Sequence, residues 1–132
     1  MARMIEESIH KRLAQAHFVW GKSDCCLAVC NVLRDIHGLD PAAMFRGRYD
    51  CKIGAMRFIS EHGGMCGLAE AVCGEFGWRE ISIRDAMPGD VGASNSERCL
   101  LIFDGVNWVG KSLKGALFGA EPEKAWMSRV QQ

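Results

Sequence analysis

In Phe18-Val19-Trp20-Gly21-Lys22-Ser23-Asp24-Cys25-Cys26, a short aromatic-glycine loop runs straight into an apolar stretch of helical character, with a thiol in the first turn. The first amides of a helix have no partner within it and carry partial positive charge. A cysteine held there is expected to have a lowered pKa and to favour the nucleophilic thiolate. The same amides could donate to the oxyanion formed when a thiolate attacks a carbonyl. Cys25 is therefore the candidate nucleophile of an amide- or peptide-cleaving reaction, with Asp24 beside it. The bland alternative is a small buried residue with no chemistry.

A second cluster with chemical content is Phe45-Arg46-Gly47-Arg48-Tyr49-Asp50. Two arginines around a glycine, beside two aromatics, could grip a carboxylate-bearing group bidentately. Arg46 and Tyr49, with Trp20 of the first loop, are the candidate substrate-binding residues. The competing reading is a loop pinned by arginine–carboxylate pairs and aromatic packing.

The seven cysteines (25, 26, 30, 51, 66, 73 and 99) are many for 132 residues, and their number is odd. No export signal precedes them, so free thiols in a reducing compartment are expected. Cys26 and Cys30 fit zinc spacing only loosely, and Cys66 with Cys73 fits no common pattern. No metal and no cofactor is expected. Vicinal Cys25 and Cys26 would suit a redox protein only through a strained bridge, and no C-x-x-C occurs.

Sixteen basic and sixteen acidic residues leave no net charge, which gives no reason to expect nucleic-acid binding. No apolar run reaches the roughly 20 residues needed to span a bilayer. The acidic, amphipathic start is not a signal peptide, and a cytoplasmic location is expected. The length suits one domain, residues 1–132.

The elements that position these residues follow from periodicity. Ile5, Ile9, Leu13 and Ala16 repeat at helical spacing and predict a helix over 4–19. Ser23 or Asp24 can cap the next helix. That helix is apolar on nearly every side, hence central, and ends at Gly38. One helical turn is expected after Pro41, a third helix over 52–62, and a short fourth from Leu68 to Val72. The pattern then changes. Strands are expected over 78–83, 91–93, 99–103, 108–111 and 115–118, with turns at 86–90 and 104–107. One helical turn over 122–126 and a closing strand over 127–130 complete the chain. Helices first and strands after read as α+β, with N-terminal helices packed on a C-terminal antiparallel sheet.

The order of these features resembles the NlpC-type, papain-like cysteine peptidases. The matching residues are Phe18-Val19-Trp20-Gly21, then Asp24-Cys25, then Met87-Pro88-Gly89-Asp90-Val91, with the 99–109 hairpin in place of the family's His-x-Gly-Ile-Tyr strand. Gly38-Leu39-Asp40, Phe45 to Tyr49, Gly54-Ala55-Met56-Arg57 and Gly63-Gly64 resemble small phage and prophage proteins encoded among tail genes. The resemblance runs from about residue 18 to 126. It implies a single NlpC-like domain with Cys25 as nucleophile, a location in the host cytoplasm or the virion, a phage tail or other protein partner and, if the chain is active, peptidoglycan peptide as substrate.

One departure bears on catalysis. The family's base is a histidine at the start of the strand after the Pro-Gly-Asp turn. This chain reads Ser96-Glu97-Arg98-Cys99-Leu100-Leu101 there, and no histidine follows His62. A thiol nucleophile needs a base or a lowered pKa. His17, close to the loop, is the first candidate base, followed by His62 and Glu97; the helix start could also hold the thiolate unaided. A cysteine hydrolase and a non-catalytic binding or assembly protein on the same fold are the two functional expectations.

Overall fold

The computed structural model describes residues 2–15 and 17–128. Four helices come first: α1 (Ala2–Gln15), α2 (Leu27–His37), α3 (Lys52–Glu61) and α4 (Gly64–Glu75). Six strands follow: β1 (Glu80–Ile81), β2 (Val91–Ser94), β3 (Cys99–Phe103), β4 (Trp108–Ser112), β5 (Gly115–Phe118) and β6 (Lys124–Trp126), with one 3₁₀ turn at Ile83–Asp85. They form one sheet in the order β1-β6-β2-β3-β4-β5, and every pairing is antiparallel. The fold is α+β, as the helix-then-strand order predicts.

α2 is the buried centre. Leu27, Ala28, Val29, Cys30, Val32 and Leu33 are all buried, and Gly38 ends the helix in the left-handed region (φ 72°). α1 packs on α2, β4 and β5, while α4 packs on β2 and β3. The main core joins these helices to one set of sheet side chains, including Val91, Ala93, Leu100, Ile102 and Val109. Alternate residues Cys99, Leu101 and Trp108 build a second, smaller core with Ala125. β3 is thus buried on both faces, as its unbroken apolar run implies. A Cβ on Gly92 would come within 2.8 Å of Pro122 and 2.9 Å of Trp108, so only glycine lets these two side chains close over β2.

The Pro-Gly-Asp turn is held by its aspartate. Buried Asp90 accepts the N–H of Met87 at 2.9 Å and of Ser128 at 3.2 Å. The Ser128 hydroxyl donates to the Gly89 carbonyl and contacts His37 Nε2 at 3.2 Å. This ties the end of α2 to the entry of the sheet.

Several boundaries differ from expectation. The described part of α1 ends at Gln15 rather than reaching 19. Residues 17–19 are a loop whose Val19 carbonyl collects the N–H groups of Lys22 and Ser23. The fourth helix begins at Gly64 and runs to Glu75, because Gly63-Gly64 turns the chain directly from one helix into the next. The expected strand over 78–83 shrinks to Glu80–Ile81. The expected helical turn over 122–126 is instead β6, which pairs with β1 and β2 and buries Ala125 and Trp126. Three residues are too few for alternation to show. Met127 and Ser128 lie beyond that strand. Residues 129 and 130, and the expected packing of Ile5 and Ala16, fall outside the described residues.

Candidate functional site

The loop before α2 is built around a carboxylate. Asp24 is fully buried. Its Oδ1 accepts the N–H groups of Cys26 at 3.0 Å and Leu27 at 2.9 Å, and its Oδ2 accepts that of Gly21 at 2.9 Å. Its carbonyl takes the N–H of Ala28. The helix start is therefore already occupied by an anion. Gly21 sits at φ +84°, and a Cβ there would meet the Tyr49 carbonyl at 2.4 Å, so this loop admits no other residue without rearrangement. The Ser23 hydroxyl donates to the His17 carbonyl, and Asn31 Nδ2 to that of Lys22, closing the loop.

Cys25 is half-buried, and its carbonyl accepts the N–H of Leu100 at 3.1 Å, which fastens the loop to β3. Its side chain lines a cavity of about 220 Å³ shared with Phe18, Trp20, Cys99 and Leu117. Phe18 and Trp20 meet edge to face, ring centroids 4.8 Å apart. The expected lowering of the Cys25 pKa does not occur. Burial, then the charge of Asp24, then the neighbouring Cys99, push the thiol up to about 12. The amides that would favour a thiolate are spent on Asp24, whose charge opposes one. Cys99 is itself pushed up to about 12, by burial and then by Glu97 and Glu123.

Of the candidate bases, only Glu97 lines the Cys25 cavity. His17 is exposed and lies outside that cavity. His62 donates from Nδ1 to the Phe58 carbonyl at 2.9 Å and packs on the Phe58 ring. His10 pairs with buried Asp104 at 2.7 Å, and His37 faces Ser128. Among the described residues no histidine borders the thiol.

The candidate binding residues separate. Trp20 lines the Cys25 cavity. Arg46 is committed elsewhere: Nε and Nη2 grip Asp40 at 2.6 and 2.9 Å, and Nη2 also donates to Asn31 Oδ1 at 2.7 Å. This pair holds the Asp40 carboxyl below its ordinary range, chiefly through the arginine's hydrogen bonds. Tyr49 is buried against Asp24, and burial followed by nearby Cys26 and Asp24 pushes its phenol upward. The Phe-Arg-Gly-Arg-Tyr tract thus braces the Cys25 loop from behind.

Two neighbours of the thiol are not apparent from the chain order. Cys99 follows from the alternation along β3, which turns it to the same face as Leu101. Arg98, at φ 55° in the β2–β3 turn, lines the Cys25 cavity and also a second one of about 470 Å³. Left-handed backbone at arginine has no local sequence signal. At the far side of the first cavity the Lys111 ammonium donates to the Leu13 carbonyl at 2.7 Å, and burial lowers its pKa.

Among the described residues no group of three or more His, Cys, Asp or Glu side chains is arranged for a metal ion, and no helix is long and apolar enough to cross a membrane. The architecture is that of an α+β protein with its cysteine loop wedged between a central helix and the sheet. A family model described as a domain of unknown function, DUF6950, matches residues 3–127, and the chain belongs to that family. No curated protein and no solved structure matches it.

Proposed function

We propose that this chain is a non-catalytic binding and assembly protein on a papain-like fold, of the kind that serves phage tail assembly. The observation that carries this reading is the occupied helix start. Asp24 takes the amides that would serve an oxyanion, its charge adds to burial in raising the Cys25 thiol, and among the described residues no histidine borders the sulfur. The strand start to which the resemblance assigns a histidine carries Cys99. The groove beside Cys25 remains, and with it a place for a partner. A Cys25→Ala variant then keeps full activity in tail assembly. Loss of assembly by a variant that still folds overturns the reading.

The open cavity between Trp20 and Cys25 favours one alternative, a cysteine hydrolase acting on peptidoglycan peptide. Its sign would be amine release from such a peptide, abolished in Cys25→Ala, together with alkylation of Cys25 at pH 6 faster than a model thiol.

A further inference from the structure

The two cavities adjoin and together form a groove: Met56 and Arg98 line both, one cavity lying at the Cys25 loop and the other at the corner between α3 and α4. Its two halves differ. The Cys25 end is mostly apolar, with Phe18, Trp20 and Leu117, and Leu113 at its rim is 72% exposed. Beside it the lining carries two cations, Lys52 and Arg98, and one carboxylate, Glu97, all three exposed. Among the described residues neither cation forms an ion pair, adjacent Glu97 included. Exposed apolar surface next to unpaired cations suits an amphipathic, acidic ligand.

Resting on the binding-protein reading, we propose that this groove takes an extended segment of a partner protein carrying an apolar residue and, two positions on, an acidic one. In an extended chain residues i and i+2 point the same way, about 6.6 Å apart. The apolar side chain enters the cavity between Trp20 and Leu117. The carboxylate then meets the Arg98 guanidinium, a planar fork suited to two carboxylate oxygens. Arg98 is the specificity residue, because it is the cation present at both halves of the groove. Lys111 plays no such part, since its ammonium is held by the Leu13 carbonyl.

The test uses three synthetic peptides, Ac-Gly-Leu-Gly-Glu-Gly-NH₂ and its Glu→Gln and Glu→Lys analogues, titrated into the full chain and followed by Trp fluorescence and NMR. The Glu peptide binds about fivefold tighter than the Gln peptide, the upper range of an exposed ion pair, and the Lys peptide binds weakest. Arg98→Gln erases the Glu preference and leaves the melting temperature unmoved; Arg98→Lys recovers part of the preference. Equal binding of all three peptides, or no binding at millimolar concentration, overturns the assignment. Mass spectrometry of the same mixtures separates it from the reading beneath it. Cleavage that disappears in Cys25→Ala overturns the non-catalytic reading alone, and lost charge preference with intact peptides overturns the groove assignment alone.

Discussion

Cys51 immediately precedes α3, and Cys25 stands two residues before α2. Cys51 has extended backbone, is exposed, and its sulfur accepts the Gly54 N–H at 3.4 Å. At α2 that capping task belongs to Asp24, and the cysteine beside it is turned into a cavity against Cys99. A helix field acts on a thiol only through amides that are still free to meet it. Where a buried carboxylate has taken them, the field is cancelled and the carboxylate's own charge adds to the desolvation of the sulfur.

The largest expected effect tests that Asp24 organises the loop. Asp24→Ala strands the N–H groups of Gly21, Cys26 and Leu27 and removes the partner of buried Tyr49. A loss of about 3 kcal/mol in chemical denaturation is expected. Asp24→Asn keeps an acceptor oxygen and removes the charge, so it costs less and moves the Cys25 thiol part of the way down toward its ordinary value. If the Asp24→Asn variant leaves the thiol titration where it was, burial alone governs Cys25 and the contrast between the two helix starts loses its electrostatic half.

Gly21→Ala attacks the same loop from its backbone. At φ +84°, with the Tyr49 carbonyl 2.4 Å from the position of a Cβ, a loss of about 2 kcal/mol is expected in urea denaturation. Gly38→Ala, also at positive φ but with open space around it, measures the backbone component by itself. Equal losses for the two variants would mean that contact with Tyr49 contributes nothing.

How far this arrangement is legible in the sequence depends on the range of the interactions. The buried α2, its Gly38 stop, the double-sided burial of β3 and the α+β order all follow from periodicity and punctuation, which act over a few residues. Asp24 as a cap is equally local. Two things are not. The bidentate Arg46–Asp40 pair and the Tyr49–Asp24 contact turn an apparent binding tract into a brace, and only the folded loop reveals which carboxylate an arginine takes. The meeting of Cys25 with Cys99 joins residues 74 positions apart through the bond from Leu100 N–H to the Cys25 carbonyl. β6 escaped because its partners, not its own three residues, make it a strand.

Reactivity gives a third, kinetic contrast. With iodoacetamide at neutral pH, exposed Cys51 is expected to alkylate at least about tenfold faster than Cys25, followed by peptide mapping, since access and thiolate fraction set the rate. Buried Cys26, Cys30, Cys73 and Cys99 should react only on unfolding. Comparable rates at Cys25 and Cys51 would show that the raised thiol does not govern reactivity, and would revive the hydrolase reading.

The smallest effect lies at the other end of α2. His37 is the last residue of that helix, where the dipole favours imidazolium. Burial instead lowers its pKa below the ordinary 6.5, against the opposing pull of Asp90. The ring packs on Trp78, centroids 5.3 Å apart, and faces the Ser128 hydroxyl. The folded protein therefore takes up this proton less readily than the unfolded chain. In the interval from about pH 6.5 down to the folded value the unfolded state binds more protons, so stability falls as pH falls there, and the loss levels off below it. Urea midpoints measured from pH 7.5 to 5 should show this decline, and His37→Gln should remove its share of the slope. An unchanged slope in the variant would mean that the imidazole titrates alike in both states. The helix would then override burial at its C-terminal end while failing to do so at Cys25, and the two ends of α2 would need separate explanations.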